Sequence, residues 1–171
     1  NRERTISSIF LDQHLHFAED SKWKVSFGIN TQYISDIKKV KLYPGVDMSY
    51  QWTPQIKTFF AANIGNRIPS YTDLYYKSPA EQGNPNLLPE STFDLRLGTQ
   101  INAQQWSIDA SIFKRISNNT IDWSKDSINQ SKWLISNILE TNLYGLDVNG
   151  SWKMSSNARF SAGYMYLHND A

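Results

Sequence analysis

Residues 23–33 read Trp-Lys-Val-Ser-Phe-Gly-Ile-Asn-Thr-Gln-Tyr. Trp23, Val25, Phe27, Ile29 and Tyr33 fall in one alternating set, and Lys24, Ser26, Gly28, Asn30 and Gln32 in the other. Strand side chains alternate between faces with a period of two, whereas a helical period of 3.6 would mix these sets. The stretch is therefore a strand with one apolar and one polar face. Residues 92–102 repeat the pattern, with Phe93, Leu95, Leu97 and Ile101 set against Thr92, Asp94, Arg96, Gln100 and Asn102.

Outward from these two, the same alternation marks six more strands, around residues 9–17, 46–53, 60–65, 106–112, 143–152 and 159–166. No long helical segment competes, and a short helical turn fits only within 68–78. Four connections are short, at about 18–22, 53–56, 102–105 and 153–157, and three are long, at about 35–45, 66–91 and 116–141. They alternate strictly along the chain. Short turns at one end and long loops at the other are the pattern of an antiparallel up-and-down transmembrane β-barrel.

Composition narrows the classes. The chain has 171 residues, no Cys, and 17 basic against 16 acidic side chains. A near-neutral balance argues against nucleic acid, whose binders carry a basic patch. Without Cys there is no disulfide framework, thiolate metal site or thiol nucleophile. The longest apolar run, Phe59 to Ala62, falls far short of the roughly 20 residues of a membrane helix. Aromatics make up 13% of a chain whose mean hydropathy is −0.52.

The tryptophans give that excess a place. Trp23, Trp52, Trp106 and Trp152 each stand beside a short turn on the apolar face, with Phe17 at the remaining strand end of the first turn. A ring of amphipathic aromatics at one level suits a membrane interface. The opposite face, rich in Ser, Thr, Asn, Gln, Asp, Lys and Arg, suits a hydrated or plugged lumen. Alternation does not say which face points out. A soluble lipocalin-like barrel with an apolar interior and a complete small eight-stranded outer-membrane protein both remain open on this ground.

The loop after the fourth strand carries a motif. It reads Arg67-Ile-Pro-Ser-Tyr-Thr-Asp-Leu-Tyr-Tyr, then Gly83-Asn-Pro-Asn-Leu-Leu-Pro-Glu, followed by a new strand. Pro69 stops a strand by removing a ladder donor, and the Gly-Asn-Pro and Leu-Pro-Glu groups are turn chemistry. The order of Arg67, Pro69, Asp73, Leu74, Tyr75, Gly83, Asn84, Pro85, Pro89 and Glu90 closely resembles the TonB-dependent outer-membrane receptors. Downstream, Asn137-Ile-Leu-Glu-Thr-Asn-Leu-Tyr-Gly-Leu-Asp also fits that family, with Thr141 at a small-residue position and Leu146-Asp147 as the hydrophobic–acidic pair.

The resemblance implies a 22-stranded barrel closed by a plug, of which these eight strands form part. It makes residues 1–171 a partial β-barrel domain, with the plug and remaining strands elsewhere. It implies energy-coupled uptake of a scarce, bulky nutrient, of the ferric siderophore or cobalamin class, in the Gram-negative outer membrane. The partners implied are outer-membrane lipid, the receptor's own plug, the TonB complex acting through regions outside this chain, and the small-molecule nutrient. No cofactor and no enzymatic chemistry follow.

Ligand contacts are expected from loop aromatics, on which a large flat ligand stacks: Tyr43, Tyr75, Tyr76, Trp123 and Trp133. Arg67 could hold an anion, but its place in the motif favours a role in building the loop. Asp12, His14 and His16 share one face at metal-compatible spacing; hydrated wall residues are the expectation, and no metal site is assigned.

Overall fold

The computed structural model describes residues 3–15, 17–18, 20–125 and 131–170. In chain order the elements are β1 (Ile6–Leu15), β2 (Trp23–Ile34), β3 (Lys39–Gln51), β4 (Ile56–Arg67), α1 (Tyr71–Tyr75), β5 (Glu81–Gln82), β6 (Glu90–Asn102), β7 (Trp106–Ser124), β8 (Trp133–Lys153) and β9 (Arg159–Asp170). The long strands pair antiparallel, each with the next, in one continuous sheet. The two-residue β5, carried by the β4–β6 loop, joins β8 in parallel at Trp133 and Leu134. The architecture is all-β, as the alternation requires.

One register row shows the two-faced sheet. Leu15, Val25, Met48, Phe60, Leu97, Ile112, Leu146 and Tyr166 are successive cross-strand partners. On this face Leu97 is 49% and Ile112 57% exposed. A soluble sheet would bury such a face; here Leu15, Leu97, Ile112 and Tyr166 are exposed, Met48, Phe60 and Leu146 are partly so, and of this row Val25 alone is buried.

The other face is tied by polar cross-strand pairs. Arg96 donates to Asp147 Oδ2 at 3.0 Å and to Ser111 Oγ at 2.9 Å. Arg115 meets Asp94 at 2.5 Å, and Gln100 donates to Asp109 at 2.7 Å. Aromatics interrupt this polar wall at Phe10, Tyr43, Phe59 and Phe113. Phe59 lies opposite Gly98, where a Cβ would come within 2.5 Å of the ring and 2.8 Å of the Ala110 carbonyl. Glycine at 98 is what leaves room for the ring.

The aromatic line crosses the sheet at an angle. Trp23 shares its register row with Tyr50, Thr58, Thr99 and Ala110. Trp106 stands four residues below Ala110, on the fourth strand along from Trp23. A stagger of about one residue per strand, at about 3.3 Å rise and about 4.8 Å spacing, inclines the line by about 35°. Strands of transmembrane barrels tilt by about 35–45°. Trp152 pairs directly with Trp106, and Trp52 sits just past β3 with its indole N–H donated to the Thr58 hydroxyl. On β7 the apolar run ends at Lys114, whose row continues through Tyr144 and His168.

Two expected long loops are mostly strand. The stretch 35–45 is a turn at 35–38, with Lys38 at φ 50°, followed by β3. Tyr43 is therefore a strand residue opposite Asn30. Pro44 suggests a loop because a proline cannot donate to a ladder. In the structure it stands just beyond Gly45–Asn63, where pairing of β3 with β4 ends, while β3 continues with β2 and β4 with β6. Likewise, most of 116–141 extends β7 and β8, so Trp123 and Trp133 also belong to strands. At 21 residues β8 is about 70 Å long, about twice what a tilted membrane crossing needs.

Candidate ligand-facing loop

The β4–β6 loop is built on a short helix whose first turn is closed by its own sequence. Ser70 caps α1: its hydroxyl accepts from the Asp73 N–H at 3.1 Å, and its own N–H donates to Asp73 Oδ2 at 2.8 Å. This capping box satisfies two orphan donors at once. Asp73 is buried, and its carboxylate also receives Arg67 Nη2 at 3.1 Å.

Arg67 is the hub of the motif. It pairs in register with Glu90, so it stands at the exit of β4 beside the entrance of β6. Nη1 donates to the Ile121 carbonyl at 3.1 Å and lies 3.9 Å from Glu90 Oε2. Glu90 Oε2 in turn accepts from the Ile121 N–H at 3.3 Å. The guanidinium thus ties α1, β6 and β7 together. Nη1 and Nη2 both have partners within the protein, which is the loop-building use that the motif suggests for Arg67.

The rest of the motif folds the chain back on α1. Gly83 donates to the Tyr76 carbonyl at 2.7 Å, and a Cβ there would sit 2.8–2.9 Å from the backbone of Asp73, Leu74 and Tyr75. Asn84 donates its N–H to the Asp73 carbonyl at 2.9 Å, while its side chain accepts from Asn86 N–H at 2.9 Å. Pro85 follows at the second position of that turn, where its fixed φ is favourable. Leu74 and Leu87 then bury themselves against Ile121 of β7 and Ile135 of β8, with Trp123 alongside. Pro89 hands the chain to β6.

Of the five aromatics expected to meet ligand, Tyr75 and Tyr76 lie on this loop, at the end of α1. Tyr71 joins them, its ring centroid 6.2 Å from that of Tyr75, and each of the three is about 40% exposed. Trp123 packs on the loop's own core. Trp133, exposed at the start of β8, has Lys125 Nζ 5.2 Å from its ring and donates its backbone N–H to Ala80. Tyr43 stands apart, in the wall near Phe10, which shares its row through Asn30.

Sequence reading missed Arg4. Its guanidinium meets Asp36 at 2.6 Å, donates to the Pro69 carbonyl at 2.7 Å and lies 5.3 Å from the Tyr71 ring. The available signal was hairpin register: Ile6 opposes Ile34, which sets Arg4 across from Asp36. The Asp12 and His14 side chains meet at 2.8 Å, and His16 lies outside the described residues. Among the described residues no group of three or more His, Cys, Asp or Glu gathers as a metal site.

Comparison with known proteins places this geometry. A family model described as TonB dependent receptor-like, beta-barrel, matches residues 1–171. The vitamin B12 transporter BtuB of Photobacterium profundum is 28% identical over 122 residues, covering 69% of this chain and 18% of that protein. Among solved structures, the siderophore receptor PirA from Pseudomonas aeruginosa superposes with a TM-score of 0.79 at 16% identity, over 97% of this chain and 32% of its own. A ferric enterobactin receptor variant from the same species, in complex with enterobactin, gives 0.77 at 14% identity, over 96% and 27%. The copper transporter OprC gives 0.74 at 15% identity, over 97% and 29%. The chain therefore spans less than a third of the length of these relatives.

Proposed function

Because this chain belongs to the TonB-dependent receptor family, through its β-barrel domain, we propose that it forms a wall-and-loop section of an outer-membrane receptor for a scarce, bulky nutrient. The ligand is of the cobalamin or ferric siderophore class. The observation that carries the reading is the placement of faces and ends. An apolar face lies exposed, edged with tryptophan at the short turns, and the opposite end carries a capped, hydrogen-bonded loop with three exposed tyrosines.

In this reading the exposed face meets lipid, since a bare apolar sheet is stable only against an apolar solvent. Members of the family are outer-membrane barrels of Gram-negative bacteria, which sets the proposed location. Phe17, Trp23, Trp52, Trp106 and Trp152 form the interface belt. The polar face lines the lumen against the receptor's plug. Tyr75 and Tyr76 give flat surfaces for a conjugated or macrocyclic ligand, with hydroxyls to fix its orientation. Energy from the TonB complex enters through parts of the receptor other than these strands. A soluble lipocalin-like carrier would turn the apolar face inward, which neither the family nor the exposed face supports.

The test is uptake by cells making the complete receptor, with cyanocobalamin and ferric enterobactin as probes. Tyr75→Ala with Tyr76→Ala should raise the half-saturating concentration about tenfold or more, as loss of aromatic anchors does. Unchanged uptake of both probes relative to the parent would reject the loop as the capture surface.

A further inference from the structure

The end of the β4–β6 loop runs past β8 without a ladder of its own. Leu88 is followed by Pro89, which has no N–H, and its side chain is exposed. Both of its backbone groups nevertheless have partners, and one side chain supplies them. Asn137 of β8 accepts from the Leu88 N–H at 2.9 Å through Oδ1 and donates to the Leu88 carbonyl at 3.0 Å through Nδ2. Nδ2 also donates to the Asn119 carbonyl at 2.7 Å. Asn119 has φ 56°, a left-handed conformation that asparagine accepts more readily than most residues.

A carboxamide carries two donors and an acceptor oxygen in one plane. Asn137 uses them to give Leu88 the pair of bonds that a neighbouring strand would give, across 49 residues of sequence. It also sits opposite Ile121 and two residues beyond Ile135, the side chains against which Leu87 is buried. Fixing Leu88 therefore fixes how deeply Leu87 enters that group. At the other end of the loop Arg67 and Arg4 hold the start of α1. The three tyrosines lie between these anchors.

We propose that Asn137 is a positioning residue for ligand capture: it holds the β4–β6 loop on the β7–β8 hairpin so that the tyrosines of α1 are presented already ordered. It does so without touching ligand, and this role rests on the reading of that loop as the capture surface. A loop ordered in advance does not have to be ordered on binding, so affinity depends on the tether.

Asn137→Asp separates hydrogen bonding from shape. The substitution is nearly isosteric, removes both donors, and sets a carboxylate against the carbonyls of Leu88 and Asn119. Asn137→Ala removes all three bonds. Asn157→Asp, in the β8–β9 turn at the opposite end, serves as the control. In the complete, unliganded receptor, hydrogen exchange at the Leu88 amide should quicken about tenfold or more in the Ala variant, which removes its acceptor, and by less in the Asp variant, which keeps an acceptor oxygen but loses both donor bonds, while amides of the β6–β7 ladder keep their protection. For uptake of cyanocobalamin or ferric enterobactin, the half-saturating concentration should rise several-fold with the maximal rate unchanged.

Leu88 exchange at the parent rate in both variants would overturn the proposal. So would faster exchange with an unaltered half-saturating concentration, or an Asp variant that behaves as the parent. A fall confined to the maximal rate would assign Asn137 to folding or export and equally overturn it. If the parent takes up neither probe, the proposed ligand classes fall instead, and Leu88 exchange alone decides whether the tether exists.

Discussion

Arginine placed along β6 should read out the depth of this strand in a bilayer. Ser91, Leu97 and Ile101 share the apolar face of β6. The inclined tryptophan line passes about three residues below Thr99 on this strand, close to the turn at 103–105. With about 3.3 Å per residue and a tilt of about 35°, Leu97 lies about 13 Å above that line, Ile101 about 3 Å and Ser91 about 30 Å. An apolar band about 25 Å tall puts Leu97 near its middle and Ser91 beyond it. Leu97→Arg should therefore cost about 2–4 kcal/mol of folding free energy, and Ile101→Arg and Ser91→Arg about 0–1 kcal/mol each. The measurement is urea-dependent folding of the complete receptor into phospholipid vesicles, scored by the heat-modifiable gel shift of the folded barrel. A Leu97→Arg penalty no larger than that at Ser91 and Ile101 would refute the lipid-facing assignment of this face, and the tilt derived from the tryptophans with it.

Two further predictions concern the wall and the loop. Gly98→Val should cost about 1–3 kcal/mol, because its Cβ meets the Phe59 ring. Phe59→Ala should remove the ring's share of that cost in a double-mutant cycle and leave the share owed to the Ala110 carbonyl, and fully additive costs would show that the ring is not an obstacle. Asp73→Asn leaves Arg67 without its nearer carboxylate and should loosen the loop by about 1–3 kcal/mol. Protease nicking within 76–89 should then rise while the barrel's gel shift is unchanged; a loss of that shift would mean the hub supports the whole sheet.

The fold was legible wherever one face of a strand is apolar and the other polar. Trp23 to Tyr33 and Thr92 to Asn102 have that contrast, and they are β2 and most of β6. Contrast fails at the loop ends of the strands. Lys39, Lys41 and Pro44-Gly45 have the composition of a turn, yet the alternation of Val40 and Leu42 with the lysines continues β3. Beyond Asn118 the apolar set Ile121, Trp123 and Ile135 meets Leu74 and Leu87 instead of forming part of the wide apolar band, and the isolated asparagines suggest a turn. Most motif residues could be read as loop-builders because their chemistry is local, a cap, a turn, a close glycine, although the bonds of Arg67 and Glu90 to Ile121 are not. Arg4 and Asn137 could not, because each acts on a segment at least 32 residues away and only register brings them together.

The parting of β3 from β4 has a consequence for the height of the water surface. Above Gly45 and Asn63 the two strand edges are no longer bonded to each other, and unpaired backbone cannot rest in hydrocarbon. With the apolar face against lipid, as proposed, water would have to reach down to this seam. Pro44 stands eight residues above Trp52, just as Lys114 stands eight above Trp106. At the same tilt both intervals measure about 22 Å. A missing ladder on β3 and a lysine on β7, three strands along the sheet, would then mark the same waterline, one through the backbone and the other through charge.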